Sequence, residues 1–346
     1  MPAPLSERRV FRADRGDAGV RLDRALLRHL ADRPEVSRNA VQGWIAAGGI
    51  AVNGLAAARP ALRLRLGDEV ALDLPPLPPR RVHVAQKLPL AVLHEDEHLL
   101  AIDKPAGLVV HPTAGHRDGT LWNALLFRAL GWSDAAEGEQ PAPRPSLVHR
   151  LDRGTSGVLL VAKSAAVHAG LARALRSPSA EKVYLAVVHG RTRLPHGRVA
   201  LAIGVDPADR RRRVPSDGGR AALTLYERLA ESPAAPLSLL ACRLKTGRTH
   251  QIRIHLAALG HPIVGDRLYG EPRHVAGLLR SIAAPELAAA CRDLPRPALH
   301  AWRLAFTHPV TRERMTLAAP LPPDLAGLLA AASLAPPHSA RALPGS

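Results

Sequence analysis

Two cysteines, Cys242 and Cys291, are all the chain contains. That is too few for a disulfide framework or a four-thiolate metal site, so a reducing compartment is expected. No uninterrupted apolar run approaches the roughly 20 residues that a membrane helix needs. Residues Met1 to Arg15 mix charges and lack an apolar signal core. A phosphate loop and a dinucleotide fingerprint are both missing, so neither ATP nor NAD is expected. The reading is a cytoplasmic protein with no membrane partner and no internal repeat. Acidic residues are also scarce. Asp and Glu total 30 against 47 Lys and Arg, a formal net charge of +17 carried mostly by arginine. An Arg- and Ala-rich composition could inflate that excess, but such a field favours a polyanionic partner, because neutralised phosphates release counterions.

With 346 residues, nearly half of them hydrophobic, two domains and a sizeable core are within reach. Residues 1–17 read as polar and loose. From 18 to 75 the pattern is a small module. Leu22, Leu26 and Leu30 mark one helix, and Ser37 caps a second carrying Val41, Trp44 and Ile45. Short strands follow around the Asn53-Gly54 turn and at Val70, Leu72 and Leu74. A Pro/Arg-rich stretch, 76–88, reads as a semi-rigid linker. Residues 89–325 carry short apolar runs with three helical stretches, Leu121–Leu130, His168–Leu175 and Gln251–Leu259. The expected fold is α+β, a mixed, mainly antiparallel central sheet with flanking helices, preceded by a small α/β module. An Ala/Pro/Ser-rich tail, 331–346, reads as disordered.

Ser146–Lys163 reads SLVHRLDRGTSGVLLVAK and puts Asp152 between Arg150 and Arg153, ahead of a glycine turn and an apolar strand. A carboxylate at a strand entrance can floor a cleft, and neighbouring guanidinium groups favour its charged form, which suits a nucleophile. Read by itself, the same pattern also describes a surface ion pair. Further on, Leu244–Gly270 crowds Arg248, His250 and Arg253 at a helix start, an anion site for a phosphate or a carboxylate. His94-Glu95-Asp96-Glu97-His98 matches a zinc-protease pattern but lies between two strand-like runs, so no metal is expected. Gly154-Thr155-Ser156-Gly157 is not a serine-hydrolase elbow.

Taken together, these two segments resemble the signature blocks of the RluA-type pseudouridine synthases. Other blocks follow in order: Glu95–Gly107, Glu181-Lys182-Val183-Tyr184-Leu185-Ala186, Ala298-Leu299-His300-Ala301-Trp302 and Phe306-Thr307-His308-Pro309. The likeness spans roughly Leu88 to Pro320, with Asp103 where the family more often has Asn. The N-terminal module, with Ser37-Arg38, Asn53-Gly54 and Gly67-Asp68, resembles the small RNA-binding domain named after a ribosomal small-subunit protein. Both parts together resemble the large-subunit ribosomal RNA branch.

The resemblance implies isomerisation of specific uridines on a flipped-out nucleotide, with no cofactor. It makes Asp152 the nucleophile, attacking the sugar C1′ or acting through a glycal. Tyr184 stacks on the base and assists proton removal from carbon 5. Arg248 pairs with Asp152, with Arg253 as the alternative and otherwise a substrate-binding residue. Arg150 fills the space left by the flipped nucleotide, Ile254 packs on the base, and Lys163 joins the substrate-binding group. Apart from the resemblance, the run Arg210, Arg211, Arg212, Arg213 in a Pro/Gly loop is the best local candidate for phosphate contact, with a solvated loop as the alternative, and Arg38 of the N-terminal module is a further RNA-binding candidate. The partner implied is large-subunit ribosomal RNA, with pre-ribosomal particles as a further one, and the chain is expected to be a monomer. A non-enzymatic RNA-binding protein and a hydrolase with Asp266 as second carboxylate are the rival readings.

Overall fold

The computed structural model describes residues 7–33, 36–74, 84–113, 115–132, 145–209 and 212–335. The chain divides into two compact units, Met1–Val82 and His83–Ser346. In the first, the elements run β1 (Glu7–Arg12), α1 (Leu22–His29), α2 (Arg38–Ala46), β2 (Ile50–Val52), β3 (Leu55–Ala56) and β4 (Glu69–Leu74). The strands form an antiparallel sheet in the order β1-β4-β2-β3. Ser37 caps α2 by accepting the Ala40 N–H at 3.2 Å. The two-residue turn joining β2 to β3 has positive φ at both Asn53 and Gly54, the type I′ geometry that matches strand twist. Residues Leu22, Leu26, Val41, Ile45, Ile50, Val70 and Leu72 close the core.

Strand β1 overturns the expectation of a loose segment over residues 1–17. It pairs with β4 along its whole length, from Glu7↔Leu74 to Arg12↔Glu69. Its three arginines, Arg8, Arg9 and Arg12, hide the period, because Phe11 is the one large apolar side chain of the strand turned to the core. Residues 75–83, most of the expected linker, lie outside the described residues. From Val84 the chain is already tied to the second unit, where Val84 O and Gln86 N bond Asn123.

The second unit continues with β5 (Ala91–Glu95), β6 (Leu99–Lys104), α3 (Leu121–Ala129), β7 (Ser146–Leu147), β8 (Ser156–Ala162), α4 (Ala165–Ala174), β9 (Glu181–His189), β10 (His196–Val199), β11 (Ile203–Val205) and β12 (Arg213–Pro215). It closes with β13 (Thr224–Glu231), β14 (Leu237–Leu244), α5 (Gln251–Ala258), α6 (Pro272–Arg280), α7 (Pro285–Asp293), β15 (Leu299–Thr307), β16 (Arg314–Ala318) and α8 (Pro323–Ala331). A ten-stranded sheet runs β10-β13-β14-β9-β15-β8-β6-β5, with β16 beside β15 and β7 beside β8. All its pairings are antiparallel except β15 with β8, and β11 and β12 form a separate hairpin. The mainly antiparallel sheet and flanking helices are those expected.

Both faces of this sheet are covered, which is why its central strands are apolar throughout. Leu99, Ala101, Val158 and Leu160 pack with Val167 and Leu171 of α4, whereas Leu100, Ile102, Leu159 and Val161 pack with Leu121 and Leu125 of α3. Helices α6, α7 and α8 go beyond the three expected. Each has proline at its first position, where the missing N–H is an orphan in any case and φ is preset. Ala332 and Leu334 are buried beyond α8, so the chain is ordered to residue 335 rather than disordered from 331. Residues 336–346 lie outside the described residues.

Candidate active site

The sheet's one parallel joint seats the Asp152 turn. Strand β8 meets β15 at His300↔Ser156 and Ala301↔Gly157. Gly157 has φ +115°, and a Cβ there would press into the Ala301 backbone, within 2.8 Å of its nitrogen. Just upstream, Thr155 N–H closes the turn onto Asp152 O at 3.0 Å. Two buried cations hold the turn by its carbonyls. The Lys104 ammonium donates to Pro105 O at 2.7 Å and Arg153 O at 3.3 Å, and Arg296 Nη1 donates to Gly154 O at 3.4 Å. Burial, then the Arg296 charge, pulls the Lys104 pKa down to about 8.

Asp152 opens onto a cavity of about 370 Å³, within the range of small-molecule sites. Arg150, Tyr184, Arg248, His250 and Arg253 share its lining. Arg253, in the first turn of α5, points Nη1 at Asp152 Oδ2, 3.4 Å away. The rest of its guanidinium makes a two-pronged pair with Asp266, Nε–Oδ2 2.6 Å and Nη2–Oδ1 2.8 Å. Burial works against the Arg253 charge, but the Asp266 and Asp152 carboxylates outweigh it and raise its pKa. His250 Nε2 stands 3.8 Å from Asp152 Oδ1. Burial lowers the His250 pKa, against the pull of Asp152. Its backbone is left-handed, φ 59°, a conformation that is uncommon outside glycine.

The pairing of Arg248 with Asp152 is corrected: Arg253 takes that place. Arg248 sits in the turn before α5, where its Nε donates to Ala221 O at 3.1 Å while Gln251 Oε1 accepts its backbone N–H. Gln251 fixes the helix start at 251, and of the two arginines it is Arg253 that pairs with Asp152. Asp266 is no second catalytic acid. Its side chain is 1% exposed, and its oxygens hold Arg253 and the N–H groups of Leu268 and Tyr269.

Lys163 is also corrected. It lies just beyond the far end of β8, about 23 Å from Ser156 at roughly 3.3 Å per residue, and pairs with Glu95 at 2.9 Å beside Trp132. Ile254 does not line the cavity; it is buried with Ile203, Ala222 and Tyr269, and Ile252 takes the wall. Arg150 is exposed at the mouth. Burial, with the Asp152 charge adding to it, raises the Tyr184 pKa, so the phenol keeps its proton at neutral pH. Lys182 and His149 were not foreseen in the lining. Burial lowers His149 to about 4, and its Nε2 accepts the Leu160 N–H.

Among the phosphate-contact candidates, Arg210 and Arg211 lie outside the described residues. Arg212 donates to Leu268 O at 3.5 Å, and Arg213 starts β12. In the first unit, the wholly buried Asp23 gathers Arg21, Arg38 and Gln42. Those partners, Arg21 first, hold its pKa far below the carboxylate range. Arg38 stays about half exposed.

Among the described residues, Asp14, Asp17 and His29 form the one group spaced for a cation. Arg28 already occupies it, 2.6 Å from Asp14 and 2.8 Å from Asp17. The zinc-like pentapeptide lies on β5, a turn and the approach to β6, where Asp96 accepts the His98 and Leu99 N–H groups. Among the described residues, no helix is long and apolar enough to cross a membrane.

A lone carboxylate on the floor of a basic cleft, fixed by an arginine that a second carboxylate aims, defines an enzyme site suited to an anionic polymer. Comparison with known proteins makes that class specific. Residues 98–258 match the family model described as RNA pseudouridylate synthase. The chain is 45% identical, over 91% of its length and 90% of the relative's, to ribosomal large subunit pseudouridine synthase D of Xylella fastidiosa. It is 41% identical to the protein of that name from Nitrosomonas europaea, over 91% and 85%. Human RNA pseudouridylate synthase domain containing 4 superposes with a TM-score of 0.55 at 26% identity, covering 72% of this chain and 95% of that one. The chain belongs to the RNA pseudouridylate synthase family.

Proposed function

We propose that the protein converts specific uridines of large-subunit ribosomal RNA to pseudouridine, with Asp152 as the nucleophile. The observation that carries this reading is the placement of Asp152: its Oδ2 faces Arg253 and its Oδ1 faces His250 at the floor of the cavity. A duplexed or stacked uridine cannot reach it, so the nucleotide must flip out at a cost of a few kcal/mol. Arg150, at the mouth, fills the space it leaves. Asp152 then acts on C1′ directly or through a glycal. The C1′–N1 bond breaks, the freed uracil turns, C5 bonds to C1′, and the C5 proton departs as N1 regains one. Atoms and electrons balance without any co-reactant.

Tyr184, in the cavity lining, offers its ring to the base, and burial favours its neutral phenol. Arg38 on the first unit and the Arg210–Arg213 run supply phosphate contacts whose net effect is salt-dependent affinity. The names of the similar bacterial proteins, both ribosomal large subunit pseudouridine synthase D, favour ribosomal over transfer RNA. Action as a cytoplasmic monomer, with pre-ribosomal particles as a further partner, completes the reading. A hydrolase is disfavoured because Asp266 is committed to Arg253.

The test is incubation with unmodified large-subunit ribosomal RNA, followed by carbodiimide labelling and primer extension. Discrete new stops are expected with the native protein and none with Asp152→Asn. Tight binding without stops on either ribosomal or transfer RNA would leave a binding protein as the better account.

A further inference from the structure

Tyr269 is not among the residues proposed to meet RNA, yet it ties three parts of the site together. The residue is 7% exposed, and its ring covers the Arg253 guanidinium, with Cζ 4.9 Å from the ring centroid. It stands edge-on to the His250 imidazole, centroids 5.5 Å apart. The hydroxyl oxygen accepts the Arg213 backbone N–H at 3.3 Å and lies 2.7 Å from His250 Nδ1. Arg213 opens β12 and is the last residue of the Arg210–Arg213 run in the sequence. One side chain therefore bridges the backbone of the basic hairpin and the imidazole beside Asp152.

A phenol has a single proton to give. Its oxygen receives the Arg213 N–H, and His250 Nδ1, 2.7 Å away, is an acceptor placed for that proton. Burial keeps both partners neutral, raising the Tyr269 pKa and lowering that of His250. A neutral imidazole whose Nδ1 accepts must carry its own proton on Nε2. Nε2 is the atom that faces Asp152 Oδ1 at 3.8 Å. That separation is longer than a hydrogen bond, but such contacts tighten when a substrate is bound. Arg253 Nη1 then addresses one oxygen of the carboxylate and His250 Nε2–H the other.

We propose that Tyr269 is a positioning residue: its hydroxyl, seated by the backbone of the basic hairpin, fixes the His250 tautomer and with it the orientation of the Asp152 carboxylate. This rests on the reading of Asp152 as nucleophile. Tyr269→Phe keeps the ring over Arg253 and the packing against Ile203 and Ile254, and removes only the hydroxyl.

Turnover on unmodified large-subunit ribosomal RNA is expected to fall about tenfold, the weight of one lost hydrogen bond, with KM within about twofold. In protein labelled with nitrogen-15 histidine, the His250 signals, assigned by their loss in His250→Asn, are expected to move from a pure Nε2–H form to a tautomer mixture. Asn tolerates the left-handed backbone at 250, so that variant also serves as the second arm. Adding Tyr269→Phe to it should cost nothing more, because the hydroxyl acts through the imidazole. Additive losses, an unchanged tautomer, or a drop in turnover that merely tracks loss of folded protein would overturn the proposal. An active Asp152→Asn would sink the underlying reading separately, whatever Tyr269→Phe does.

Discussion

Arg253→Lys keeps the charge at the cavity floor and removes the fork. The wild-type guanidinium serves two carboxylates at once, Asp266 through Nε and Nη2 and Asp152 through Nη1. A lysine ammonium is a point charge and can satisfy one of them. Asp266 is the more deeply buried, and an unpaired charge there is the costlier outcome, so the ammonium should go to Asp266. Asp152 then loses its partner. At 3.4 Å and an effective dielectric near 20, the gross attraction is about 5 kcal/mol. Desolvation of both groups cuts the net value to that of a charge-assisted hydrogen bond, about 1.5–3 kcal/mol. That corresponds to a roughly 10- to 150-fold slower single-turnover rate. The assay is pseudouridine formation on unmodified large-subunit ribosomal RNA with enzyme in excess, alongside thermal denaturation to show that the variant is folded. A folded Arg253→Lys within about twofold of wild type, beside a crippled Arg248→Ala, would refute the assignment of Arg253 as the partner of Asp152.

Gly157→Ala should be among the most damaging single-atom additions, costing more than about 4 kcal/mol, because the new Cβ meets the Ala301 backbone at a positive φ; a urea midpoint close to wild type would contradict this. His189 and His300 are buried, and burial lowers each to about 4 from an ordinary 6.5. The unfolded chain therefore binds more protons than the folded one between pH 6.5 and 4, and stability falls as pH drops through that window. The loss should reach about 2 kcal/mol per histidine at pH 5, so equal urea midpoints at pH 7.5 and 5 would speak against it. Replacing Arg210, Arg211, Arg212 and Arg213 with alanine should weaken RNA binding and flatten its salt dependence in a filter-binding titration, whereas an unchanged slope would dismiss them as phosphate contacts.

How far a site can be read from a chain depends on how its parts are spaced. Asp152, its flanking arginines and the glycine turn are contiguous, and the strand after them is apolar because both faces of the sheet are covered. The nucleophile candidate, the mixed sheet and the three unbroken helices were therefore legible. Proline at a first helical position looks like proline in a turn, which concealed α6, α7 and α8. Lys163 shares a motif with Asp152, but the extended strand β8 carries it to the far end of that strand. Arg248 and Arg253 sit five residues apart on a segment whose helix start is fixed by Gln251 accepting the Arg248 N–H and by the left-handed His250. No periodicity reveals that start, and a shift of one turn would exchange the two arginines. Asp266 and Tyr269 are farther still, and their turn advertises only that Asp266 receives backbone N–H groups. Yet these two aim the cation and the imidazole that flank the carboxylate. A carboxylate between two arginines along the chain is compatible with a surface ion pair. What makes it a candidate nucleophile is that its partner in space is an arginine already held by another acid, leaving one N–H directed at Asp152 and no freedom to turn away.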